Sequence, residues 1–507
     1  MLSWRSGKAR IWGTKGPRFE SHSSHPSEVP AVVDPWANRG SVKTLWYRKA
    51  MASLTKSSHI LVFPFPAQGH MLPLLDLTHH LATHGLTITI LVTPKNLPLL
   101  NPLLSSSPNI KPLVFPFPPH PSLPSGVENV KDIGNHGNAH IINSLANLQD
   151  PIIQWFKSHP NPPVAILYDF FLGWTHHLAD QLRVPRICFF SSGAFLTAVL
   201  DHCCKDISSV RSQNLTVFHD LPNSPSFVRE HLPTLIRVYN ESDPEWELIL
   251  DGHIANASSL AWVVNTFDAL ESQYMEYLTK LLGRGRVFGV GPVSLLSGSD
   301  PMTRGQSETG SGFDVIKWLD RRPDGSVVYV CFGSQKFLTS DQMEALETGL
   351  EDSGVHYVWV VKPEQGDLGR VGSGRGFVIK GWAAQVAILS HRAMGGFLSH
   401  CGWNSVLESI LAGVMILAWP MEADQYVNAR LLVEDHGVAV RVCEGPNTVP
   451  DSAELARMIA ESMSEDKIEK IKAKEMKNKA IEAVKEGGSS SMELDRLVKE
   501  LSNLRHE

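Results

Sequence analysis

"HILVFPFPAQGHMLPLLDLTHHLATHGLTITILVT", His59 to Thr93, holds three patterns in succession. "HILVFPF" is a short apolar run, "MLPLLDLTHHLATHG" spaces its apolar residues at the helical period, and "LTITILVT" is β-branched and extended. Pro73 falls in the first helical turn, where a missing N–H costs nothing, and Gly85 is a plausible stop. Strand, helix and strand make a βαβ unit. The pattern repeats in "VAILYDFF", "HHLADQL" and "VPRICFFS", which predicts a parallel sheet covered by helices on both faces.

Further along, residues 294–312, "SLLSGSDPMTRGQSETGSG", are poor in large apolar residues and read as a linker. The alternation then restarts with "SVVYVCFGS", "DQMEALETGLEDSG", "HYVWVVK", "GGFLSH", "NSVLESILAG" and "VMILAWP". The expected division is a leader over 1–50, a first Rossmann-like domain over 51–293, the linker, a second over 313–485, and a terminal helix over 486–507 packing back on the first domain. Ligands of such sheets collect outside the carboxyl ends of the strands. Charge runs such as "EDKIEKIKAKEMKNK" read as solvated helix faces.

A chain of 507 residues, 43% hydrophobic and 19% charged, can bury two cores of ordinary size. Its net charge of -6 offers no long-range attraction to nucleic acid or anionic membrane, so an anionic ligand must be held by local geometry. Six cysteines without a C-x-x-C pair disfavour a disulfide framework or a cysteine-rich zinc site, and point to a reducing, cytoplasmic location. No apolar run reaches the ~18 residues of a membrane span, so no membrane insertion is expected. The leader is basic and lacks periodicity, and Met51 stands just before the first strand. An upstream extension is the favoured reading, since Glu20, Glu28 and Asp34 fit poorly with a transit peptide. The sequons at Asn214, Asn240 and Asn256 are taken as chance matches.

"HCGWNS", His400 to Ser405, is the turn between a buried strand and a helix. Val406, Leu407, Ile410 and Leu411 share one helical face, which leaves Ser405 and Glu408 together on another. A strand, a glycine-bearing turn and a helix start suit a diphosphate, because unpaired N–H groups and the positive end of the helix dipole face it. Glu408 can accept from a vicinal diol such as a ribose. The plain alternative is an N-cap by Asn404 and an exposed glutamate.

The stretch from Trp382 to Gln425, "WAAQVAILSHRAMGGFLSHCGWNSVLESILAGVMILAWPMEADQ", resembles the nucleotide-sugar signature box of plant family-1 UDP-glycosyltransferases. "FPFPAQGHMLPLLDLTH", "VTPKNLPLL", "FPPHPSLPSGVENV", "DFFLGWTHHLA" and "VVYVCFGSQ" are similar to the flavonol glucosyltransferase branch. The resemblance implies the GT-B fold, two facing Rossmann-like domains, and inverting transfer of the sugar from UDP-sugar to a small phenolic acceptor; a monomer is expected. It implies that Trp382, with Ala383 beside it, stacks on uracil and that Gln385 lies near the base or ribose. Glu408 holds the ribose, while Ser334, His400, Gly402, Asn404 and Ser405 surround the diphosphate. Trp403, Asp424 and Gln425 face the sugar, with Ser191 at its far hydroxyl, and the terminal Gln425 favours glucose. The family usually has proline where Ala384 stands, a departure that loosens the backbone beside the base.

His70 follows the first strand at a carboxyl-end position and fills the family's general-base place, while Asp169, ending "AILYD", is implied to orient it. The alternative for Asp169 is a helix N-cap. His79, His80, His84, His176 and His177 are taken as structural. No cofactor is expected beyond UDP-glucose as co-substrate, and no metal, because no D-x-D motif is present; the nearest match is Glu422-Ala423-Asp424. An oxidoreductase would need G-x-G-x-x-G after a strand and a serine hydrolase G-x-S-x-G, and neither occurs. A non-catalytic UDP-sugar binder is the remaining alternative, against which His70 and Asp169 count.

Overall fold

The structure is a computed structural model, and it describes residues 57–296, 311–363 and 374–506. The expected leader and the 297–310 part of the expected linker lie outside the described residues. Either side of that stretch the chain is helical, at Val293–Leu296 and Ser311–Leu319, where the linker reading had irregular chain.

The first half contributes β1 (His59–Phe63), β2 (Thr87–Val92), β3 (Ile110–Val114), β4 (Ala165–Asp169), β5 (Arg186–Phe190), a small hairpin of β6 (Leu215–Val217) and β7 (Ser226–Val228), β8 (Ala261–Val264) and β9 (Val287–Gly289). The second half contributes β10 (Val327–Cys331), β11 (His356–Val361), β12 (Gly376–Lys380), β13 (Met394–Ser399), β14 (Ile416–Ala418) and β15 (Ala439–Arg441). Among the described residues these form one seven-stranded sheet, ordered β3-β2-β1-β4-β5-β8-β9, and one six-stranded sheet, ordered β12-β11-β10-β13-β14-β15. Every ladder in both sheets is parallel. The chain thus forms the two Rossmann-like sheets of the GT-B arrangement. Central strands such as β1, β4 and β5 are buried along their whole length, as strands covered on both faces must be.

Strand order reverses between β1 and β4 in one sheet and between β10 and β13 in the other. Such switch points open a crevice at the carboxyl ends. His70 and Asp169 stand at the first switch point, Ser334 and His400 at the second.

The helices that frame these crevices are α1 (Gln68–Thr83), α2 (Thr175–Leu182), α3 (Ala194–Lys205), α4 (Pro244–Ala255), α5 (Asp268–Leu282), α6 (Gln385–Leu389), α7 (Trp403–Ala412), α8 (Gln425–Arg430) and α9 (Ser489–Asn503). α1 begins at Gln68, three residues before the apolar periodicity starts, so Pro73 lies in its second turn and not its first. A proline there leaves the carbonyl four residues back, that of Gly69, without an intrahelical donor. α9 returns to the first domain: Leu494, Leu497 and Leu501 join the core of Ile60, Val62 and Phe288, and Ser490 Oγ donates to the Gly291 carbonyl at 2.6 Å. Arg496 adds bonds to the carbonyls of Gly285 and Val287 at 3.0 and 2.9 Å. Among the described residues no helix is long and apolar enough to cross a membrane.

Candidate active site

β1 gives way through Pro64–Ala67 to α1, and this turn sets His70 in the first helical turn, above the end of β4. Its Nδ1 lies 3.0 Å from both carboxylate oxygens of Asp169, which is fully buried. Asp169 Oδ1 also accepts the Phe171 N–H at 3.0 Å and caps the short helix Phe170–Leu172. One carboxylate thus caps this helix and also meets the His70 ring. Because a carboxylate accepts, in the neutral ring the hydrogen sits on Nδ1 and Nε2 carries the lone pair.

Three aromatic rings fix the plane of the imidazole. Phe170 stacks on it at 5.3 Å and 23°, Phe171 lies at 4.6 Å, and Phe65 meets it edge-on at 5.3 Å. The side chain retains 20% exposure. Ser191, expected at the far hydroxyl of a sugar, has its Oγ 3.2 Å from His70 Nδ1.

Across the cleft, β13 ends at Ser399 and α7 starts behind Gly402, its N-cap. Asn404 is consequently not the cap. Its Nδ2 reaches the Gly69 carbonyl at 3.1 Å, the group that Pro73 leaves unserved. Trp403 departs from the expected sugar-facing role: its side chain is 4% exposed, and its Nε1 donates to the Asn265 carbonyl of the first domain at 2.8 Å. A Cβ at Gly193 would come within 2.6 Å of that ring, so the close approach of the domains needs glycine there. What Trp403 can present to the cleft is its backbone N–H, in the first turn of α7.

His400 fits between two glycines, since a Cβ on Gly333 or Gly402 would lie 2.6 or 2.7 Å from its Nε2. Burial pushes the imidazole down to about 4, so it is neutral at ordinary pH. Ser334 follows Gly333 in the same turn. Gln385, at the start of α6, donates to Ser405 Oγ at 3.1 Å and to Glu408 Oε2 at 2.8 Å, and accepts from the buried Tyr329 hydroxyl at 3.3 Å. Ser405 and Glu408 thus share one face of α7, as their spacing predicts. Trp382 and Ala383 precede this helix half-buried. Ala384 has φ -74°, a value proline adopts, and no acceptor takes its N–H among the described residues. The backbone there already has the shape a proline would impose.

Asp424 is half-buried, and desolvation raises its carboxyl above the usual range, opposed by the Asn428 amide at 2.7 Å and by His70 across the cleft. Gln425, expected to face the sugar, has half of its amide already engaged. Its Oε1 already accepts the N–H groups of Met421 and Glu422 at 2.9 and 3.0 Å, so only Nε2 remains to donate. The intervening turn is held by the first domain: Thr234 Oγ1 accepts the Ala423 N–H at 2.8 Å, and Asn135 donates to Glu422 at 2.8 Å.

Asn135, Thr234 and Asn265 carry no sequence signal for these roles, because each acts on a partner far along the chain. Glu271 is another such residue. Wholly buried, it accepts the N–H groups of Ala194 and Phe195, both at 2.8 Å, at the start of α3. Burial raises its carboxyl despite those bonds.

Residues 312–470 match the family model described as "UDP-glucoronosyl and UDP-glucosyl transferase". UDP-glycosyltransferase 89A2 of Arabidopsis thaliana is 51% identical over 89% of this chain and 97% of its own length. Flavonol 3-O-glucosyltransferase UGT89B1 of the same plant is 48% identical over 88% of this chain and 97% of its own. Among solved structures, Arabidopsis thaliana UGT89C1 complexed with UDP-L-rhamnose superposes with a TM-score of 0.75 at 38% identity, covering 88% of this chain and all of that one. The same protein complexed with quercetin gives 0.74 with equal identity and coverage.

Proposed function

The chain belongs to the UDP-glucoronosyl and UDP-glucosyl transferase family and is a glycosyltransferase; on that premise we propose that it moves glucose, with inversion, from UDP-glucose to a hydroxyl of a small phenolic acceptor such as a flavonol. The observation that carries this reading is the His70–Asp169 pair, set at one switch point and bonded through Gly69 to the start of α7 at the other. His70 Nε2 takes the acceptor proton as the acceptor oxygen attacks the anomeric carbon. The bond to UDP breaks on the opposite face, so the configuration inverts, and UDP leaves with the bonding electrons. Asp169 stabilises the imidazolium that forms, and the proton later passes to solvent.

Donor roles follow from position. Trp382 and Ala383 are assigned to uracil and Gln385 and Glu408 to the ribose, a pair already hydrogen-bonded to each other. Ser334, His400, Gly402, Asn404 and Ser405 are assigned to the diphosphate, with the first-turn N–H groups of α7 meeting the charge that grows on the leaving group. Gln425 Nε2, Asp424 and the Trp403 N–H take sugar hydroxyls. Six unpaired cysteines fit the reducing cytoplasm, and a monomer is the assembly we expect.

The test is an acceptor panel with UDP-glucose and UDP-rhamnose in competition, read by product mass and NMR. Glucosides of a phenolic hydroxyl support the reading. UDP-sugar binding without turnover on any acceptor would make the protein a non-catalytic binder, and a rhamnoside product would transfer the donor assignment.

A further inference from the structure

In the first domain, the turn that leads into α2 touches α4 backbone to backbone. A Cβ on Gly173 would overlap the Gly252 carbonyl, which fixes the neighbouring side chains of the two helices against each other. There His176 Nε2 lies 3.3 Å from Asp251 Oδ2, and His177 Nε2 lies 3.6 Å from the same oxygen. His176 Nδ1 is 3.0 Å from the Gly173 carbonyl. A carbonyl only accepts, so in the neutral ring the hydrogen is on Nδ1 and Nε2 presents its lone pair toward a carboxylate. Two acceptors facing each other are reconciled by a cation between them, either a second proton on the ring or a metal ion. A backbone carbonyl taking the other ring N–H is also how metal-binding histidines are ordinarily oriented.

The distances agree with that reading. Bonds of about 2.0–2.2 Å from zinc to nitrogen or oxygen place tetrahedral donor atoms roughly 3.3–3.6 Å apart. A second trio, His120, His140 and Glu245, serves as the contrast. His140 Nδ1 is 2.7 Å from Glu245, a hydrogen-bond distance too short for two ligands of one ion, and His120 Nδ1 accepts the Ser122 N–H, which leaves the hydrogen on the Nε2 that faces the carboxylate. That trio is a hydrogen-bonded clamp. In the first trio His176 turns an unprotonated Nε2 of its neutral ring toward the carboxylate, with His177 Nε2 beside it.

We propose that His176, His177 and Asp251 form a site for a divalent cation of the zinc class, with two imidazole nitrogens, one carboxylate oxygen and water as ligands. Ion binding braces α2 against α4 behind the segment that carries Asp169. The site lies apart from the sugar-transfer residues, and partial exposure of His177 and Asp251, 50% and 52%, gives the ion direct access.

Zinc chloride titrated into the full chain by calorimetry should show one saturable equivalent and raise the melting temperature. Cobalt(II) should give the visible bands of a tetrahedral nitrogen–oxygen site. Changes to outer-sphere partners of a metal ligand typically cost 10–100-fold in affinity, so losing a ligand in His177→Ala or Asp251→Asn should weaken binding by at least about tenfold. Glu245→Gln should bind as the wild type does. No saturable binding up to millimolar zinc, equal binding in His177→Ala and Asp251→Asn, loss confined to Glu245→Gln, or a thiolate band in the cobalt spectrum would each overturn the proposal.

Discussion

His70 offers one nitrogen to Asp169 and the other to the cleft, and none of the donor contacts assigned above involves its ring. His70→Ala should therefore lower turnover on ordinary phenols by about 100 to 10,000-fold while the dissociation constant for UDP-glucose, measured by calorimetry, stays nearly unchanged. A phenol already ionised at assay pH should be spared part of the loss, and the Asp169→Asn defect should be less than multiplicative with it. His400 makes a second claim at this scale. Its folded pKa, about 4, lies below the ordinary histidine value, so the unfolded chain binds a proton that the folded chain refuses. The stability it contributes is whole above about pH 6.5 and fades as pH falls toward 4, a loss of about 3 kcal/mol at most. The melting temperature should drop over that window, and less so in His400→Asn. The places of His70 and Asp169 were legible because each follows or ends a strand, and that of Glu408 because helical spacing sets it beside Ser405, while the roles given to them came from the family resemblance. The actual bearings of Trp403 and Gln425 were not, since both are fixed by backbone groups that no pattern predicts.

Alternating strands and helices were readable in both halves, because parallel strands buried on two faces leave continuous apolar runs. Periodicity misplaced the start of α1, since residues 68–70 face the cleft and carry no apolar stripe. That error hid what Pro73 does. By withholding an N–H it leaves the Gly69 carbonyl for Asn404 of the other domain. Pro73→Ala restores an intrahelical donor that competes for the same oxygen. It should cost kcat/KM about fivefold, the worth of one hydrogen bond near 1 kcal/mol, with a similar loss in Asn404→Ala beyond its part in donor binding. In a double-mutant cycle on kcat/KM, Pro73→Ala should have almost no effect once Asn404 is gone. Full additivity would show that the proline acts only inside its own helix.

At the scale of the whole molecule, the amphipathic pattern of α9 announces a helix with something to cover but does not say what. The answer is the first domain, where Leu497 is 1% exposed. Leu497→Ala should destabilise the protein by about 2–5 kcal/mol in denaturant unfolding, with turnover per folded molecule unchanged because the cleft is remote from that core. Equal stability would mean that the helix rests on its polar bonds to Gly285, Val287 and Gly291 instead. This return of the chain bears on recombination between relatives. A chimaera cut once between the halves would import a foreign terminal helix along with the foreign donor half, and seat it on a surface shaped for the native one. Exchange of sugar specificity by grafting thus calls for two crossovers, the second placed ahead of Ser489, so that each half keeps the segment it folds with.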